Sequence, residues 1–135
     1  MALTDFTDPY CWPGSSVLRN LFGLKTQVEL TEAEYAFTLE RRLELQEHPI
    51  EGNYDLEHLR AVHRHLFQDI YDWAGQTRTV ELSKEDSQFL SPNRFRLAAS
   101  HIFETLQRGP LLTAQPVSDE EFVNSAAGLL DEINY

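Results

Sequence analysis

Apolar residues recur at helical spacing over most of the chain, and short polar or Gly/Pro stretches punctuate them. The clearest run is Leu56, Leu59, Val62, Leu66, Ile70 and Trp73, which step by three and four. Asp55 stands ahead of it as a cap and Gly75 behind it as a stop. A capping box, Thr31-Glu32-Ala33-Glu34, predicts another helix running to about Glu47, with Ala33, Ala36, Phe37 and Leu43 on one face. Pro92 suits the first turn of a helix carrying Phe95, Ala98, Ala99, Ile102, Phe103 and Leu106. Ser118-Asp119-Glu120-Glu121 is a further capping box, followed by Phe122, Ala126, Leu129, Leu130 and Ile133 at helical spacing into Tyr135. Near the N-terminus, Ser15 or Ser16 is expected to cap a short helix over Val17, Leu18, Leu21 and Phe22, ended by Gly23.

Between Gln76 and Leu90 the period changes from helical to alternating. Arg78, Val80 and Leu82 alternate with Thr77, Thr79 and Glu81, and threonine and valine favour an extended chain. Lys84-Glu85-Asp86 reads as a turn, and Ser87 to Leu90 as a short returning strand. The fold class is therefore mainly α, a helical domain with one short β-hairpin. A lone hairpin is marginal in water and has to lean on helices.

Composition narrows the function classes. The 135 residues are 41 % apolar, which suits one ordinary domain with its own core. Twenty-two acidic residues against 11 basic ones give a net charge of −11. Phosphate polymers and anionic bilayers are repelled by such a surface, so no nucleic acid and no membrane is expected as partner. Cys11 is the single cysteine, which rules out an internal disulfide. No signal peptide or apolar span is visible, so the cytoplasm is the expected address.

The residues alone reveal no catalytic centre. None of the five histidines pairs with another at the three- or four-residue spacing of a zinc-binding helix. His63 sits among the apolar positions of its helix and reads as a hydrogen-bonded structural histidine. The glycines are scattered, with no phosphate-binding loop and no Gly-x-Ser-x-Gly elbow. Most carboxylates fall on caps or outer helix faces. No catalytic residue and no metal ligand is assigned.

The segment from Leu59 to Arg78, ending Tyr71-Asp72-Trp73-Ala74-Gly75-Gln76-Thr77-Arg78, resembles the Fic family. In that family a helix ending in Trp-Ala-Gly leads into a hairpin beginning with arginine. Asp8-Pro9-Tyr10, Pro13-Gly14 and Leu18-Arg19-Asn20 resemble the N-terminal segment of bacterial members. Ser83-Lys84 and Ser87-Gln88-Phe89 resemble the turn and closing phenylalanine of the family hairpin, and Glu132-Ile133-Asn134-Tyr135 the helix end before the family signature. The resemblance implies a protein adenylyltransferase, moving AMP from ATP to a hydroxyl side chain of a target protein. ATP and Mg²⁺ are the implied cofactors of the intact domain.

The family signature, His-Pro-Phe-x-Asp/Glu-Gly-Asn-Gly-Arg/Lys, does not occur in the sequence. It supplies the general base, the Mg²⁺-holding carboxylate and the anion nest. By the family pattern it would start within a residue or two after Tyr135. Residues 1–135 are thus expected to be a single partial Fic domain lacking the C-terminal catalytic segment, inactive alone and without tight binding of ATP or Mg²⁺. What the resemblance leaves is the target-docking flap: Arg78, Thr79, Val80, Glu81 and Leu82 as the strand that receives an extended target loop, with Lys84 and Phe89 near the target. The inhibitory pattern Ser/Thr-x-x-x-Glu-Gly/Asn is matched neither from Thr77, where Leu82 follows Glu81, nor from Ser100, where Thr105 follows Glu104. A separate small antitoxin protein is then the implied restraint. Two alternatives stay open: a non-enzymatic, degenerate Fic-like interaction module, and a relative that transfers phosphate, UMP or phosphocholine.

Overall fold

The computed structural model describes residues 8–79, 83–84, 87–88, 90–109, 111 and 118–134. Four helices account for most of them: α1 (Gln27–Glu47), α2 (Leu56–Phe67), α3 (Phe95–Arg108) and α4 (Asp119–Asn134). A 3₁₀ turn, Pro92–Arg94, leads into α3. Two-residue strands β1 (Ser83–Lys84) and β2 (Ser87–Gln88) pair antiparallel, Ser83 opposite Gln88 and Lys84 opposite Ser87. No helix among the described residues is long and apolar enough to cross a membrane. The chain divides into two compact units: Met1–Glu51 with Arg60–Gln76, and Gly52–Leu59 with Thr77–Tyr135.

The core of the first unit is built from Val17, Leu30, Ile70 and Tyr71, with Trp12, Leu18, Phe37, Phe67 and Trp73 packed against it. Removing these apolar groups from water is the main stabilising contribution. The N-terminal segment forms no helix over Val17–Phe22. Its backbone groups are committed elsewhere: Trp12 N–H donates to the Val17 carbonyl at 3.0 Å, Arg19 N–H to the Tyr10 carbonyl at 2.7 Å, and Leu21 N–H to the Ile70 carbonyl at 2.8 Å. Buried Asn20 staples the following loop. Its amide donates to the Leu18 and Leu24 carbonyls at 3.0 and 2.8 Å, and its oxygen accepts from Leu24 N–H at 2.8 Å. Helical hydrogen bonds would have to break all of these.

α1 begins a turn earlier than the Thr31 box predicts. Thr26 is the cap: its hydroxyl accepts from Glu29 N–H at 3.4 Å and donates to the Glu29 carboxylate at 2.7 Å. Leu30, 1 % exposed, is the α1 residue sealed in the core, while Ala36 and Leu43 are exposed. α2 starts as expected, with Asp55 Oδ1 accepting from His58 N–H at 2.9 Å. It ends at Phe67, six residues before Trp73. Ile70 and Trp73 keep apolar surroundings by lying in consecutive turns, not on a continued helix. One bidentate ion pair ties α1 to the first of these turns: Arg41 donates from Nε and Nη2 to Asp69 at 2.8 and 2.9 Å.

In the second unit α3 and α4 pack on one another. Ala99 is the buried residue of α3, where a small side chain permits close approach. Ser118 caps α4 as predicted, its hydroxyl accepting from Glu121 N–H at 3.2 Å. Phe122, placed by its spacing on the apolar face, is half exposed at 50 %.

Candidate functional site

The chain turns a corner at Gly75, three residues ahead of Arg78. Arg60 and His63 lie on α2 three residues apart and so share a face. Arg60 Nε donates to the Gly75 carbonyl at 2.8 Å, and His63 Nδ1 accepts from Gly75 N–H at 2.8 Å. Both backbone groups of one residue are therefore held by one helix. Gly75 adopts φ +80°, and a Cβ there would lie 2.7 Å from Arg64 Cβ and 2.8 Å from the Arg60 carbonyl oxygen. Only glycine satisfies the backbone and the space together.

Aromatic rings fix the approach to this corner. Trp73 stacks on Tyr71 with centroids 4.4 Å apart and meets Tyr10 edge-on at 5.8 Å. His63 also lies 4.7 Å from the Phe67 ring. Burial lowers the His63 pKa from its ordinary value. The neutral ring is the form that leaves Nδ1 free to accept from Gly75. The structural, hydrogen-bonded role expected for His63 is thus the one observed.

A second cluster of polar contacts lies in the same unit. Arg41 hydrogen-bonds Asp69 and, at 3.0 Å, Glu44, and holds both carboxyls below the usual carboxylate range. His65 Nε2 lies 2.9 Å from the other side of this cluster, at Glu44 Oε2. Tyr71 donates to Glu34, and burial followed by that carboxylate raises its pKa. These contacts hold the elements together; no group among them faces another in a nucleophile-and-base arrangement.

The expected docking residues fare unequally. Arg78 is half-buried, and its guanidinium donates to the Leu90 carbonyl, joining the two stems at the base of the β1–β2 segment. Thr79 is exposed and, like Arg78, lies outside any strand. Val80, Glu81, Leu82 and Phe89 lie outside the described residues. The Lys84 backbone belongs to β1 and pairs with Ser87. Arg78 and Thr79, the first two positions of the expected strand, lie outside any strand, and the remaining three lie outside the described residues. The Arg60 contact to Gly75 escaped the sequence reading, because nothing in the spacing says which polar helix residue will turn inward.

Comparison with known proteins places this architecture. The Fic/DOC family model matches residues 53–135. A protein adenylyltransferase of Bartonella schoenbuchensis is 36 % identical over 127 residues, covering 94 % of this chain and 26 % of that protein. A probable protein adenylyltransferase of Sinorhizobium fredii is 39 % identical over 127 residues, covering 94 % and 64 %. The chain thus spans less than two thirds of either relative. Among solved structures, the N-terminal Fic domain of the Bep8 effector from a Bartonella species superposes with a TM-score of 0.81 at 21 % identity, covering 93 % of this chain and 64 % of that one. The BepC protein of Bartonella tribocorum, solved with bound AMPPNP, gives 0.78 at 22 % identity, covering 91 % and 65 %. By the extent of the family match and the shared fold, the chain belongs to the Fic/DOC family.

Proposed function

We propose that this chain is the target-holding portion of a protein adenylyltransferase, which moves AMP from ATP to a hydroxyl of another protein. The observation that carries the reading is the Gly75 corner. Two α2 side chains grip both backbone groups of Gly75, three residues before Arg78. The names of the two curated relatives supply the reaction class. An extended target loop adds to the edge of Arg78–Leu82 through backbone hydrogen bonds, with Lys84 and Phe89 alongside the target. Arg78 acts from the base of the segment, where it closes on Leu90.

Among the described residues, no three His, Cys, Asp or Glu side chains gather as a metal-ligand set. No step of AMP transfer is assigned to them. The sequence contains no His-Pro-Phe, so the 135-residue chain alone is expected to transfer no AMP. The test is a swap. The residues of the B. schoenbuchensis relative that match this chain are replaced by this chain, and labelling of target protein is followed with α-labelled ATP. The unswapped relative is the positive control. The reading expects labelling by the swapped protein and none by the chain alone. A folded, ATP-binding swap that labels nothing would contradict it.

A further inference from the structure

Helix α1 has two apolar faces, and only one is used. Leu30 and Phe37, two turns apart, point into the core of their unit. At about 100° per residue, Val28, Tyr35 and Leu39 fall in a strip about 40° wide roughly opposite them, with Leu43 at its margin. All four are exposed: Val28 69 %, Tyr35 71 %, Leu39 38 % and Leu43 54 %. One isolated exposed leucine needs no explanation, but a row along about four turns does. The row also has a charged border. Glu32, Glu40 and Glu47 run along the Leu43 side, all exposed, and Arg42, also exposed, stands on the Tyr35 side.

We propose that this outer face of α1 is a docking surface for a basic amphipathic helix of a partner protein. An apolar stripe on the partner would cover Val28, Tyr35, Leu39 and Leu43, and lysine or arginine along its flank would meet the glutamate row. Charge selects this occupant over the alternatives. Two copies of α1 packed antiparallel about a two-fold axis bring like flanks together, so the acidic rows would face each other, and a parallel pair would set each row of three glutamates against the single Arg42. The net charge of −11 adds to that repulsion. The same charges disfavour an anionic bilayer, which would otherwise suit an apolar stripe. The inference stands on α1 alone and is independent of the AMP-transfer reading.

The test uses the whole 135-residue chain and two labelled synthetic helical peptides with one leucine stripe in common. One carries lysine along the stripe's flank and the other glutamate. Fluorescence anisotropy at physiological ionic strength should show the lysine peptide binding about tenfold or more tightly than the glutamate peptide. Tyr35→Ser with Leu39→Ser should weaken the lysine peptide by about tenfold or more. Leu97→Ser, at an exposed leucine of α3, should change nothing. Glu32→Lys with Glu40→Lys should reverse the preference between the peptides. All these positions are exposed, so the variants are expected to fold, and circular dichroism checks it. Absence of lysine-peptide binding overturns the proposal, as does binding that Tyr35→Ser with Leu39→Ser leaves intact. So does a dimer, or attachment to phosphatidylserine vesicles, that the same pair of substitutions abolishes.

Discussion

Gly75 concentrates three demands in one residue: a left-handed backbone, two hydrogen bonds to α2, and no room for a methyl group. Gly75→Ala should destabilise the chain by roughly 2 to 4 kcal/mol, from left-handed backbone cost and overpacking together. Thermal or urea unfolding measures it, and an effect under about 0.5 kcal/mol, the ordinary surface value, would refute the geometry. His63 adds a pH signature. Its folded pKa lies below the ordinary 6.5, so the unfolded chain binds the proton more readily. Its contribution is complete above 6.5 and is lost as pH falls through the folded value. The slope from this one proton is at most about 1.4 kcal/mol per pH unit. His63→Leu should flatten stability against pH just below 6.5, and an unchanged slope would place the titration elsewhere.

Two Thr-x-x-Glu boxes stand five residues apart at the head of α1, Thr26 to Glu29 and Thr31 to Glu34. Sequence alone shows that a helix starts there and not which box starts it. Burial decides: Leu30 lies upstream of the second box, and the core draws it in as part of the helix. Thr26→Ala should therefore cost about 1 kcal/mol while Thr31→Ala costs little, by urea denaturation. The reverse order would restore the later start. α2 failed to extend for a related reason. Ile70 and Trp73 repeat at helical spacing, yet turns beyond Phe67 bury them equally well, and periodicity reports burial without reporting the backbone that achieves it. Caps were legible where the polar side chain bonds within its own turn, as at Asp55 and Ser118. Contacts between distant segments were not. Asn20, Arg41 with Asp69, and Arg60 with Gly75 each depend on how the chain folds back. The absent helix over Val17–Phe22 follows from the same limit, since its backbone partners are Tyr10, Trp12 and Ile70.

At the scale of the whole molecule, family membership was visible in the block from Leu59 to Arg78 because its residues serve one another. Arg60 and His63 on the helix bond Gly75, and Trp73 from the aromatic turn lies 6.1 Å from the His63 ring. Beyond the corner lies the Arg78–Leu90 segment. The central claim is that this segment receives a target loop through its backbone. Proline removes the N–H that strand addition uses and leaves net charge unchanged. The decisive measurement is target labelling by the swapped adenylyltransferase carrying Thr79→Pro, beside Thr79→Ala, with ATP affinity measured on both. Strand addition predicts that the proline variant loses target labelling by about tenfold or more while the alanine variant keeps it and both bind ATP equally. Equal labelling by the two variants would contradict it.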